Sequence, residues 1–190
     1  LGVFDRLPLG QFLFNSIFIS GVVVLLGLFV NSLAGYAIAR LKFKGQNVIL
    51  VALIATLVIP FETIAMPLLV LVNELPRISF ENGTVELTTG WLNTYLVQIA
   101  PFIAWGFSIF LFVQYFKTIP KELDEAALID GAGFFSIYWR IIVPLAGPAF
   151  ATSAILSFLA IWNAYLWPVM VVQTESLRTV QVGLDYFWAS

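Results

Sequence analysis

Lys117-Thr118-Ile119-Pro120-Lys121-Glu122-Leu123-Asp124-Glu125-Ala126-Ala127-Leu128-Ile129-Asp130-Gly131-Ala132-Gly133 interrupts an apolar chain with charges and small residues. The runs on either side, Leu92 to Phe116 and Leu145 to Val172, are each long enough to cross a bilayer, which takes about 20 residues per helix. The stretch from Lys117 to Pro144 is too long for a tight turn and too polar to span. Pro120 suits the first turn of a helix, with Thr118 or Ile119 near its cap. Glu122, Asp124 and Glu125 then lie where the helix dipole favours anions. Leu123, Ala126, Ala127 and Asp130 fall on one side at spacings of 3 and 4. Ala126 and Ala127 leave that side open to close approach. Gly131 and Gly133 are expected to end the helix, because glycine tolerates the left-handed conformation found there. Phe134 to Val143 forms a second amphipathic stretch with Trp139 and Arg140, and Pro144 is expected to break it. From these residues alone, the stretch is either a connecting loop or a docking surface.

The rest of the chain explains why such a loop stands out. Of 190 residues, 61% are hydrophobic and 11% charged, with a mean hydropathy of +0.97. A soluble domain carries about 25% charged residues, so the chain reads as a membrane protein. Two further apolar stretches, Ser16 to Ala39 and Asn47 to Val72, make four predicted spans. They must be helical, because lipid offers no partners to an open strand. Pro60, Pro67, Pro101 and Pro168 lie in or near these spans, and each removes a backbone hydrogen bond and invites a kink. The predicted fold is an all-α membrane protein forming one domain over residues 1–190, with the charged loop at 117–144.

Lys and Arg distribution sets the expected orientation. Arg40, Lys42, Lys44, Lys117, Lys121 and Arg140 lie on one side, and Arg6, Arg77 and Arg178 on the other. Six against three places the first group in the cytoplasm. Both ends of the chain are then extracytoplasmic. The loop from Asn73 to Trp91 is an outer one, with turn signals at Pro76, Asn82-Gly83 and Gly90 and a short strand at Val85-Glu86-Leu87-Thr88.

Several function classes are excluded. The chain has no Cys and no His, which removes thiolate chemistry, the usual general base and the commonest metal ligand. A net charge of −2 suggests no nucleic-acid partner. No Gly-x4-Gly-Lys-Ser/Thr loop is present to cradle ATP phosphates. Gly131-x-Gly133 lacks the third glycine of a dinucleotide loop. No catalytic group and no metal site is expected.

Glu125-Ala126-Ala127, Gly131, Ile141 and Pro144 resemble the Glu-Ala-Ala-x3-Gly-x9-Ile-x-Leu-Pro motif of ABC importer permeases, with Val143 in place of the leucine. The Ile129-Asp130-Gly131-Ala132 extension is common in the sugar-type members. Asn31 to Arg40 with Phe43-x-Gly45, Leu92-Asn93-Thr94-Tyr95, and Phe158-Leu159-x-x-Trp162-Asn163-x-Tyr165-Leu166-Trp167-Pro168 resemble the second permease subunit of maltose, glycerol-phosphate and oligosaccharide importers. The outer loop from Asn73 to Trp91 is longer than in that subgroup.

The resemblance implies the type I ABC importer transmembrane domain, usually with six spans and both termini inside. One span is then expected before Leu1 and one after Ser190. It implies a bacterial or archaeal inner-membrane subunit that moves a carbohydrate or related small polar solute by alternating access. The implied partners are a homologous permease, two ATP-binding cassette subunits, an extracytoplasmic solute-binding protein and membrane lipid. ATP-Mg would sit on the partner ATPase, with no cofactor on this chain. Glu125, Ala126, Ala127, Asp130, Gly131 and Pro144 would form the ATPase-coupling element. Glu125 would make polar contacts in a cleft of the ATPase, and Gly131 would permit the sharp turn.

Two places within the spans are candidate substrate-pathway sites. Glu62 is the only acid inside a predicted span, and such residues usually face a bundle interior or an aqueous path. At 15 residues past Asn47 it would stand roughly 22 Å up one continuous helix. The competing reading is an interfacial Glu that caps a kink at Pro60. Asn163, with Trp162, Tyr165 and Trp167 nearby, pairs aromatic faces with an amide, which suits a sugar ring. The same residues also read as an outer aromatic belt. Asn93, Tyr95 and Gln98 are further candidates of that kind. Ser32, Gly35 and Ala39 form a small-residue stripe for close helix packing. The rival function is a secondary transporter or channel not coupled to an ATPase, which would need intramembrane charge beyond Glu62.

Overall fold

The computed structural model describes residues 8–81 and 84–189. Asp5, Arg6 and the Asn82-Gly83 turn signal lie outside these. The first helix, α1 (Leu9–Arg40), is unbroken. Pro8 starts it, its carbonyl accepting from the N–H groups of Gln11 and Phe12. No proline follows within it, and Arg40 stands in its last turn, where a cation suits the dipole. Gly45, at φ 90°, then turns the chain into α2 (Gln46–Thr56).

The second predicted span is not one helix. It breaks between Leu57 and Pro60 and resumes as α3 (Phe61–Glu74), with Pro60 extended at its N-cap. The residue before a proline is driven out of the helical region, so Pro60 separates two helices where a kink was expected. Pro67 lies inside α3 without ending it.

The loop from Asn73 to Trp91 holds more structure than the one short strand expected. β1 (Pro76–Glu81) and β2 (Thr84–Thr89) pair antiparallel in register from Pro76↔Thr89 to Glu81↔Thr84. Pro76 takes the first position of its strand, where its missing N–H costs least. Gly90, at φ 92°, donates to Leu75 O, and the Trp91 indole N–H donates to Pro76 O at 2.9 Å, which ties the hairpin to the end of α3.

The third apolar stretch comprises α4 (Tyr95–Ile99), a 3-10 turn at Ala100–Phe102 that contains Pro101, and α5 (Gly106–Thr118). Next come α6 (Glu122–Ile129), α7 (Phe134–Ile137), a π-helical turn at Tyr138–Ile142 and α8 (Val143–Leu145). The last helices are α9 (Gly147–Trp162), α10 (Leu166–Val171) and α11 (Val180–Ala189). The fourth predicted span therefore ends at Trp162 rather than Val172. The Asn163 amide turns back to Leu159 O at 2.8 Å and caps the helix end. Pro168 has no N–H to offer the carbonyl four residues before it, and it occupies the first turn of α10.

Leu9–Arg40 and Tyr95–Thr118 are each long and apolar enough to cross a membrane. Gln46–Thr56 with Phe61–Glu74, and Phe134–Leu145 with Gly147–Trp162, meet the same test only when each broken pair counts as one span. The described spans thus number between two and the four expected.

The chain divides into two compact units. One holds residues 8–23, 59–102 and 158–189 of the described chain. Its core gathers Val72, Val97, Trp167, Val171 and Val172. Trp167 is 1% exposed, donates its indole N–H to Val97 O at 2.9 Å, and meets the rings of Phe61 and Phe102 edge-on. Trp167→Ala is expected to cost this unit about 3–5 kcal/mol, read as a lower melting temperature of the full-length protein in detergent. The other unit holds 24–58 and 103–157. Its core is built from Tyr36, Ile109, Phe112, Val113, Phe116, Ile137, Tyr138 and Ile142, and it carries the charged loop.

Candidate functional site

The charged loop is built from local rules. Pro120 precedes the helix, and α6 begins only after Lys121, which caps it without a side-chain bond. The cap therefore falls two to three residues later than the expected Thr118 or Ile119. Ile119 is extended and closes α5 instead, donating to Phe116 O. Glu122, Asp124 and Glu125 occupy the first turn of α6, where its dipole favours them.

The C-terminal end of α6 is a Schellman motif. Ala132 N–H donates to Ala127 O at 2.8 Å, and Gly131 N–H donates to Leu128 O at 3.0 Å. Gly131 takes φ 82°, the left-handed residue the motif needs. Ala127 and Ala132, which bracket the motif, both pack against the core of their unit. Gly133 does not share this role. It is extended at φ −77° and caps α7.

The faces of α6 differ from the sequence expectation in one respect. Ala126 is exposed, but Ala127 turns inward. The solvent side carries Glu125, Asp130 and the apolar side chains of Leu123, Leu128 and Ile129, the last 87% exposed. Phe134 and Phe135 continue this uncovered apolar surface into α7.

Pro144 does not end the second amphipathic stretch. Helix continues through it to Leu145, and the 79° bend falls at Ala146. The cause lies upstream. Val143 N–H reaches Tyr138 O, five residues back, in a π-helical turn. That wider turn takes up the register lost because Pro144 cannot donate. Pro144 itself is exposed.

Three contacts fasten the loop to α1. Ser32 Oγ lies 2.6 Å from Tyr138 Oη, and Tyr36 Oη donates to Phe134 O at 3.1 Å. Arg40 Nη2 donates to Ile119 O at 2.7 Å, while its Nε faces Asp124 Oδ2 at 3.4 Å. Burial pushes the Asp124 carboxyl above the usual carboxylate range, and Arg40 opposes that shift only in part. Sequence reasoning missed this group. Asp124 stood out only as a dipole partner and Arg40 only as a topology signal, and nothing local pairs residues 84 positions apart.

The candidates within the spans are scattered by comparison. Glu62 is exposed in the first turn of α3, just after the break at Pro60. A rise of 22 Å along one helix therefore does not apply to it. Trp162, Asn163 and Tyr165 lie along the break between α9 and α10, each with a different partner. Trp162 stacks on Phe158 at 5.5 Å, and Tyr165 Oη donates to Asp185 Oδ2 at 2.5 Å. Trp167 is removed from that group by burial. Asn93, at φ 59°, accepts from the backbone N–H groups of Gln173 and Thr174. Tyr95 Oη donates to Asn15 Oδ1, and Gln98 Nε2 to Leu177 O. Each is therefore tied to its own unit.

The chain has the helical fold of a type I ABC importer transmembrane domain, with broken apolar spans and this charged helix-turn. It belongs to the binding-protein-dependent transport system inner membrane component family, whose profile matches residues 24–189. The arabinooligosaccharides transport system permease protein AraQ of Halalkalibacterium halodurans is 38% identical over 170 residues, covering 90% of this chain and 56% of that protein. The trehalose/maltose transport system permease protein MalG of Thermococcus litoralis is 34% identical, with 93% and 59% covered. The sn-glycerol-3-phosphate transport system permease protein UgpE of Yersinia enterocolitica is 31% identical, with 93% and 58% covered. The chain thus spans a little more than half the length of these relatives. A crystal structure of a bacterial ABC transporter involved in import of alginate shares the fold. Its TM-score is 0.79 at 24% identity, over 96% of this chain and 60% of that one.

Proposed function

We propose that the chain is the membrane-spanning permease subunit of an ATP-driven importer for a carbohydrate or related small polar solute. It acts by alternating access in a bacterial or archaeal inner membrane. The observation that carries this is α6: a short acidic helix, closed by Gly131 and leaving Leu128 and Ile129 uncovered, in a chain of this transport family. Uncovered apolar side chains rimmed by charge suit a protein partner. Residues 1–190 act as one transmembrane domain, and 117–144 is its coupling loop.

The partner on α6 is an ATP-binding cassette subunit, which holds ATP-Mg and does the hydrolysis; this chain has no catalytic role. Glu125, Ala126, Asp130 and Gly131 form the contact, Ala127 seats α6 on the core behind it, and Pro144 belongs to the same coupling loop. Closure of two such ATPases on ATP brings this loop and that of a homologous permease together, and the pathway turns outward. An extracytoplasmic binding protein delivers the solute. The names of the relatives, which concern oligosaccharides, disaccharides and glycerol 3-phosphate, support the solute class. With no cluster of Arg or Lys in the spans to hold a phosphate, a neutral sugar fits best. Trp162, Asn163 and Tyr165 are the sugar-facing candidates, and Glu62 a gate candidate.

The test is uptake into proteoliposomes by the full-length chain with its ATPase, its sister permease and its binding protein. ATP-dependent accumulation of one neutral sugar from a panel that also includes sugar phosphates is expected. Accumulation that persists without ATPase subunits would establish the secondary transporter instead.

A further inference from the structure

Arg40 binds three chain segments at once. It belongs to the last turn of α1, holds the carbonyl of Ile119 at the end of α5, and faces Asp124 on α6. Its side chain is 2% exposed and that of Asp124 16%. The end of a helix leaves carbonyls without intrahelical donors, and Arg40 supplies one to Ile119. The planar guanidinium bonds Ile119 O through Nη2 while its Nε lies at ion-pair distance from Asp124 on another segment, where a lysine offers a single point.

The arrangement is poorly optimised for stability. Arg40 Nε and Nη1 and Asp124 Oδ1 are buried without hydrogen-bond partners, Nε having only its ion-pair contact at 3.4 Å. A buried ion pair satisfied this incompletely gains little against its desolvation, and apolar side chains of similar volume often replace such pairs without loss. Consistent with this, burial outweighs the attraction of Arg40 at the Asp124 carboxyl. What the contact supplies is position. The loop's other two fastenings to α1 lie beyond α6, Tyr36 to Phe134 at the start of α7 and Ser32 to Tyr138 in the π-helical turn, while α6 itself rests on the core through the small side chains of Ala127 and Ala132.

We propose that Arg40, through Asp124 and Ile119, is a positioning residue that makes the coupling helix α6 move as one body with the end of α1. This rests on the importer reading above. In that reading, ATPase closure displaces α6. A rigid tie turns that displacement into movement of the longest span, and a slack one lets hydrolysis proceed with α1 at rest.

The experiment uses the full-length protein in its complex and replaces the pair together, Arg40→Met with Asp124→Leu, beside Arg40→Lys alone. Thermal melting, ATP hydrolysis and solute moved per ATP are read on each. The double variant is expected to melt like wild type and to hydrolyse ATP. Solute moved per ATP should fall about tenfold, within the usual range for loss of coupling between two sites. Arg40→Lys, which keeps the charge but not the fork, should fall in between. A double variant with the wild-type ratio overturns the proposal. If the double variant does not assemble, the wild-type ratio in Arg40→Lys overturns it.

A second readout stands apart from transport. Spin labels on the exposed positions Lys42 and Lys121 report the distance between the end of α1 and the start of α6. A narrow distribution in wild type that broadens in Arg40→Lys is expected, and an unchanged one overturns the tie. Absence of ATP-driven uptake in wild type would sink the importer reading, and the spin labels would still decide the tie.

Discussion

Gly131→Pro should abolish ATP-driven uptake while the spans stay folded. Gly131 takes φ 82°, whereas proline is locked near −65°. Its N–H closes the helix on Leu128 O, and proline has none to give. A misplaced proline costs about 3 kcal/mol or more, a roughly hundredfold shift in population away from the observed turn. The damage stays local, since a side chain at Gly131 would meet nothing within 4 Å. Gly131→Ala is the milder control, because alanine pays only about 1–2 kcal/mol for the left-handed conformation and does not clash. Uptake into proteoliposomes should fall in the order wild type, Ala, Pro, with melting temperatures nearly level. Wild-type uptake by Gly131→Pro would count against a coupling role for the turn.

Gly35→Leu acts on folding itself. A Cβ at Gly35 would lie 2.6 Å from Cβ of Phe112 and 3.3 Å from the backbone N of Val113. Phe112 and Val113 are fully buried, and the first of these contacts is not the tip of a flexible side chain. The surroundings cannot give way without moving α5 from α1. One extra methyl in such a place costs about 1–3 kcal/mol, and the rest of a leucine adds to that. The neighbours Ser32 and Ala39 are buried on the same stripe, and Ser32 Oγ meets Tyr138 Oη. Separation of α1 from α5 would loosen the loop as well. Failure of the Gly35→Leu protein to accumulate, or a strongly lowered melting temperature in detergent, is the expected result. Wild-type melting would mean that α1 and α5 do not pack as closely as described.

That stripe was readable in the sequence because its spacing is a property of one helix. The same holds for Gly131, where helix, acidic first turn and stop signal lie within ten residues. Reading failed where the answer depends on direction or on distant partners. Asn47 to Val72 is apolar throughout, and hydropathy does not register that the chain turns at Pro60, whereas Pro67 in the same stretch stays within a helix. Leu145 to Val172 reads as one span for a like reason: α9 stops at Trp162, where the Asn163 amide bonds back to Leu159 O, and apolarity conceals that end. Pro144 was expected to break a helix that a π-helical turn carries through it. A spacing of 3 and 4 groups Ala127 with Ala126 but does not say which side of a short helix meets the core, and Ala127 meets it. Arg40 and Asp124 required the fold itself.

The central claim is that α6 passes an ATPase's work to this chain. ATP hydrolysis by the complete full-length complex, with its binding protein and a panel of sugars, measures that most directly when wild type is set beside Glu125→Ala. Glu125 is exposed on α6, so its loss should leave the fold intact. One sugar should stimulate hydrolysis in wild type, and Glu125→Ala should lose that stimulation while keeping the basal rate. Equal stimulation in both proteins, or no ATPase retained by wild type on purification, would contradict the account.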